Sequence, residues 1–157
     1  MQIKKTTIKL GNDDDVAGQT NGPCIMYAWH GVEGYSMFGT YKSDDTPDGP
    51  FVYTGFKPAF IIIKNITTGN AYTSWGLFDR KRQPDNPADY QKVLWANLSS
   101  AEGDRGNDGS ASSANQLDFL SNGFKIRGES YEVNSNGVDQ MIFAAWAEMP
   151  LKYARGG

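Results

Sequence analysis

The chain has one cysteine, Cys24, and one histidine, His30, among 157 residues. A single thiol cannot form an intrachain disulfide, and Cys24, beside Ile25, reads as a small apolar residue. One thiol and one imidazole fall short of the protein ligands a zinc site needs, so no metal is expected. A Ser-His-Asp arrangement would have to use His30, and no Gly-x-Ser-x-Gly elbow supplies its nucleophile. Long apolar runs are missing too. The longest, Ala59-Phe60-Ile61-Ile62-Ile63, is far short of a membrane-crossing helix, so membrane insertion is not expected. Met1-Gln2-Ile3-Lys4-Lys5 is not followed by an apolar stretch, and a secretory leader is not expected either. Basic charge is scarce: 15 Lys and Arg stand against 18 Asp and Glu, for a net charge of −3. The one basic run, Arg80-Lys81-Arg82, is too short to track a phosphate backbone, which argues against nucleic acid as a partner. Asp13-Asp14-Asp15 lacks the alternating acids and closing Glu of a calcium loop and reads as a solvated turn.

Glycine and aromatic residues are abundant: 18 Gly, eight Phe, eight Tyr and four Trp. That pairing favours short strands joined by tight turns. No segment keeps a helical period for three turns, and the length suits one domain. Roughly nine to eleven short strands, with turns about every eight to twelve residues, predict an all-β sandwich or barrel. Expected strands include Cys24 to His30, Tyr35 to Ser43, Phe51 to Phe56, Ser74 to Arg80 and a long one ending before Pro150. Ala59 to Lys64 is apolar at alternate and intervening positions and predicts a strand buried on both faces. Pro58 predicts a bend or a strand start ahead of it. Asn122-Gly123, between two apolar runs, predicts a hairpin with both turn positions free to take positive φ. Residues 1–22 read as an N-terminal arm, or a short strand plus loop, ahead of a single domain over 23–157.

Sandwiches host glycoside hydrolases, which need two carboxyl groups roughly 5–10 Å apart. Glu33, Asp79, Glu102, Asp118, Glu129, Glu132 and Glu148 are the available acids, but none forms a Glu-x-Asp or Glu-x-x-x-Glu pair on an apolar strand. No catalytic residue and no cofactor is assigned, and the chain is not expected to be an enzyme. Trp75 and Asp79, four residues apart on one strand, can face the same way. Asn70 and Asn97 lie in nearby loops, and Arg80 follows Asp79. A ring to stack on a pyranose, with amide and charged groups for its hydroxyls, makes these five a candidate sugar site. The competing reading puts Trp75 in the core and Asp79 on a neighbouring loop's backbone. "MYAWH" and "FAAWAE" look alike and read as two core strands with the same small-large alternation.

The segments "MYAWHGVEGYSMFGTYKS", "DGPFVYTGFKPAFIIIK", "WGLFDRKRQPDNP", "LWANLSSAEG", "DFLSNGFKIR" and "MIFAAWAEMPLKYA" follow one another from about residue 25 to 154. In that order they resemble an uncharacterised domain that recurs in tail-fibre and other virion proteins of phages infecting marine bacteria. The resemblance implies an antiparallel jelly-roll sandwich of the concanavalin A or laminin-G kind, located in the virion at the tail or capsid surface. Its implied partners are other virion proteins, further copies of the chain and host cell-surface polysaccharide. It carries no known catalytic site. About two dozen residues precede the domain, where a tail fibre would have a long shaft. That difference raises a second expectation, a capsid decoration or assembly protein that binds no sugar.

Overall fold

The computed structural model of the protein describes residues 25–69, 73–86, 92–102, 116–135 and 137–148. The arm at 1–22, Cys24 and Asn70 lie outside them. Among the described residues eight strands form: β1 (Ser36–Lys42), β2 (Phe51–Tyr53), β3 (Pro58–Asn65), β4 (Gly76–Asp79), β5 (Val93–Trp95), β6 (Leu117–Leu120), β7 (Gly123–Ile126) and β8 (Gln140–Ala147). The described residues contain no helix. One sheet has five strands in the order β1-β8-β3-β4-β5, and the other has three in the order β2-β7-β6. Every strand pair is antiparallel. The all-β expectation therefore holds, in a sandwich-like arrangement.

Period-two side-chain alternation builds the core between the two sheets. Ile61, Ile63, Phe78, Val93, Met141, Phe143 and Ala145 of the larger sheet are buried with Val52, Leu117, Phe119, Phe124 and Ile126 of the smaller one. Tyr41 packs on the same cluster, edge to face with Phe124 at 6.1 Å. Its hydroxyl donates to the Val133 carbonyl at 2.8 Å, and burial pushes its pKa well above the ordinary tyrosine value.

The expectation of a strand buried on both faces needs correction. Ile61 and Ile63 are fully buried, but Phe60, Ile62 and Lys64 on the other side of β3 are only half-buried. Their face opens onto the surface. The predicted strand at Cys24 to His30 does not form over its described part. Residues 25–30 have no strand pairing and are exposed, and the first strand begins at Ser36. Aromatic packing takes the place of sheet pairing there: Tyr27 stacks on Trp29 at 6.1 Å, and Trp29 meets the edge of Trp146 at 6.4 Å. Pro58 does open a strand, with a register shift between it and Phe60.

The β6–β7 hairpin forms where predicted, for a different local reason. Leu120 pairs with Gly123, so the turn positions are Ser121 and Asn122. Neither has positive φ. Gly123 is instead a paired strand residue at a close approach. A Cβ there would lie 2.1 Å from the Val52 carbonyl oxygen and 3.1 Å from the Phe51 ring. Glycine at this position lets β2 lie close against β7.

Buried polar side chains tie the connections at one end together. Asn65, closing β3, donates to Asp139 Oδ2 at 2.8 Å and Ser135 Oγ at 3.3 Å. Its Oδ1 accepts from the Thr67 and Thr68 amides. Asn134, also fully buried, accepts from the Asp44 and Asp45 amides and donates to the Thr46 carbonyl. These bonds fix the Asp44–Thr46 loop, where Asp45 holds a φ of 54°.

Gly123→Ala is expected to cost about 2–3 kcal/mol, because a backbone oxygen cannot give way to the new methyl as a side chain could. Urea unfolding of the two proteins at one pH measures it. A loss under 0.5 kcal/mol would show that β2 can back away from β7.

Candidate functional site

The outer face of the five-stranded sheet is apolar across its middle. Register aligns Phe38, Ala144, Ile62, Leu77 and Leu94 in one row, because each pairs with the next across β1, β8, β3, β4 and β5. The flanking row holds Trp146 opposite Phe60, which in turn pairs with Asp79. Trp146 is the hub of an aromatic cluster. Phe38 and Phe60 each lie 5.6 Å from it, and Trp29 lies 6.4 Å away.

An open cavity of about 450 Å³ sits on this face. Trp29, Phe38, Ile62, Trp75, Ile142 and Trp146 line it, and among the described residues Thr40 contributes the one hydroxyl. Trp29 is 64% exposed and Trp75 40%. Ala144, in the floor, leaves room between the larger side chains. The rings can offer flat surfaces for stacking, and none of the described lining residues carries a charge.

Of the five predicted site residues, Trp75 reaches this cavity and is not in the core. Its amide donates to Asn97 Oδ1 at 2.9 Å, so Asn97 positions the β4 entry through the backbone. Asn97 Nδ2 reaches Ser74 Oγ at 3.4 Å. Asp79 lies on the same face as Trp75, but four residues of strand separate them by about 13 Å. Its carboxylate accepts from the Lys81 amide at 2.8 Å, and its carbonyl accepts from the Arg82 and Gln83 amides. Asp79 thus builds the turn after β4. Arg80 donates to Glu148 at 2.6 Å. Asn70 lies outside the described residues. The structure brings Trp75 and Asn97 together and leaves Asp79 and Arg80 at the far end of β4.

Sequence reasoning missed Trp29, Phe38 and Trp146. The likeness of "MYAWH" to "FAAWAE" was the available signal, but it reads as two core strands. Both tryptophans instead lie on the outer face and touch each other. Trp95, by contrast, points inward and is buried.

Beside this face, Glu148 gathers three cations: Lys57 at 2.9 Å, Arg80 at 2.6 Å and Lys81 at 3.6 Å. The Lys57 hydrogen bond, with the charges of Arg80, Lys57 and Lys81, holds its carboxyl below the ordinary value of 4.5. Glu148 therefore has partners that fix its charge and works as a clamp between the ends of β4 and β8. No group of three or more His, Cys, Asp or Glu among the described residues could hold a metal ion.

A protein-family profile described as a domain of unknown function (DUF7483) matches residues 1–150. The chain belongs to that family. No curated protein and no solved structure matches it.

The Glu148 clamp makes a signed prediction. A depressed folded-state pKa contributes stability that is present above the unfolded value and lost as pH falls through the folded one. As pH falls below about 4.5, unfolding midpoints in urea should drop more steeply for the wild type than for Glu148→Gln. Parallel pH profiles for the two proteins would remove the clamp from the account.

Proposed function

We propose that the chain is a non-enzymatic virion protein of a bacteriophage, with a jelly-roll, lectin-like sandwich that contacts host surface glycans, as a tail-fibre or other receptor-binding component. The observation that carries this reading is the tryptophan-lined cavity on the outer sheet face. Trp29, Trp75 and Trp146 border one open hollow of about 450 Å³, within the range of small-ligand sites. Exposed indole rings beside a rigid sheet can stack on the apolar face of a pyranose without ordering a loop first. The order of motifs along the chain, which resembles that of virion proteins, supports the setting. Each site would bind weakly, and many copies on one particle would raise the avidity.

One observation favours a second reading. The cavity lining is almost wholly apolar, and large exposed apolar patches commonly mark protein interfaces. Tyr27, 73% exposed and stacked on Trp29, extends that surface, and Ile25 and Met26 just before it are also exposed. In this alternative the face docks on another virion protein or a further copy, and the chain decorates or assembles the particle without binding sugar.

Protein clustered on beads, presented to a glycan array and to host-envelope polysaccharide, separates the two. Saturable binding that drops at least about tenfold in Trp75→Ala and in Trp146→Ala is expected, as for loss of a stacked ring. Folded protein that ignores every glycan but captures purified virion components would sink the receptor reading and favour the assembly role.

A further inference from the structure

A second cleft shares no lining residue with the tryptophan-lined cavity. It opens between β1, the edge strand of the larger sheet, and β2, the edge strand of the smaller one. Its volume is about 330 Å³, at the lower end of the range for small-molecule sites. Glu33, Gly34 and Ser36 form one wall, and Tyr53, Thr54 and Gly55 the other.

Both walls are built from backbone bonds. On the first, the Val32 amide donates to the Ser36 carbonyl, and the Tyr35 and Ser36 amides donate to the Val32 carbonyl. Gly34 takes a φ of 72°, which turns the chain and leaves Glu33 exposed at the tip. On the second wall, the Thr54 and Gly55 amides donate to the Asn122 carbonyl. Thr54 Oγ1 donates to the Phe56 carbonyl at 2.7 Å. Gly55, with a φ of 79°, lies against the Tyr53 ring, which is 61% exposed. Ser36 Oγ is engaged with the Val32 amide and the His30 carbonyl.

The Ser36 and Thr54 hydroxyls are therefore spent on the frame, while Tyr53 stands exposed. Among the described residues, nothing donates to the Glu33 carboxylate, and it is the one charged group in the lining. The adjoining hollow shares Gly34 and Phe56 with the cleft, and its Lys57 and Glu148 are paired at 2.9 Å. Among the described residues, the cleft thus combines a flat aromatic face and an open anionic acceptor with no cation in its own lining.

We propose that this cleft is a saccharide subsite selective for neutral or amine-bearing sugar units over uronates and sulfated sugars. The Tyr53 ring takes the C–H face of the sugar. The Glu33 carboxylate accepts from two neighbouring hydroxyls, or from a hydroxyl and an ammonium group. An acidic sugar would bring a like charge beside Glu33 with no cation in the cleft lining to balance it, and the neighbouring Lys57 is already paired with Glu148, which disfavours it. The ligand class rests on the glycan reading above, but the residues are a separate set, so the two can fail independently.

Amide-resolved NMR titrations test it, with cellotriose, a glucosamine trimer and a trigalacturonate added in turn. The Gly31, Gly34 and Gly55 amides report the cleft, and the Trp29, Trp75 and Trp146 indole N–H groups report the outer face. Cellotriose or the glucosamine trimer should shift the glycine amides saturably, and the trigalacturonate should not. Glu33→Gln, on an exposed turn that leaves the fold intact, should weaken that binding at least about tenfold, as expected for hydrogen bonds to a charged group. Tyr53→Ala should abolish it. Shifts confined to the indoles would overturn the cleft while leaving the outer-face reading standing. Shifts confined to the glycines would do the reverse. Equal binding of the uronate, an unchanged affinity in Glu33→Gln, or no glycine shift with any of the three sugars would overturn the proposal.

Discussion

Strands β3 and β8 run antiparallel at the middle of the larger sheet, and their register decides what the molecule shows to its surroundings. Ile61 lies opposite Ala145 and Ile63 opposite Phe143, and all four point into the core. The intervening pairs, Phe60 with Trp146 and Ile62 with Ala144, point out. A slip of one residue would exchange these sets, because side chains alternate with period two. It would put Trp146 inside and strip the outer face of its aromatic hub. Pro58 and Asn65 bound this pairing. The proline opens the strand at a register shift, and the buried asparagine locks its end to Asp139 and Ser135. A buried polar group with several partners accepts one geometry far better than others, so it fixes the register as well as adding stability.

Both candidate surfaces follow from that frame. The outer-face cavity exists because β1, β8 and β3 place Phe38, Ala144 and Ile62 in one row, with a small side chain in the middle. The lateral cleft exists because each sheet ends there in an edge strand, with turns 31–36 and 53–56 standing as walls. The two differ in chemistry. The first is wide, aromatic and uncharged, and the second is small and holds one open carboxylate. A module that met extended polysaccharide with both would use the first for ring stacking and the second for selection between sugar units.

The alternation of apolar residues and the turn residues made the all-β class, the β3 strand, the β6–β7 hairpin and the final long strand legible in the chain. Local chemistry was less so. Asn122-Gly123 signals a hairpin in any sequence, but here the glycine serves a close approach to Val52, which no local pattern reveals. Asp79 and Asn97 carry the right groups for a sugar, yet the backbone uses both. Trp29 and Trp146 are 117 positions apart in sequence, and only the packing of the 25–30 segment over β8 joins them.

What the sequence determined by itself was the periodicity: one apolar side chain in two, broken by Gly, Pro and Asn, can bury its surface only as paired strands. It also determined the scarcity of histidine and cysteine, one of each. Tertiary structure alone decided which apolar face became core and which stayed open, because β3 and β8 are apolar on both. That choice belongs to the facing sheet. The β2-β7-β6 sheet can cover one side of the larger sheet, and the covered side became the core.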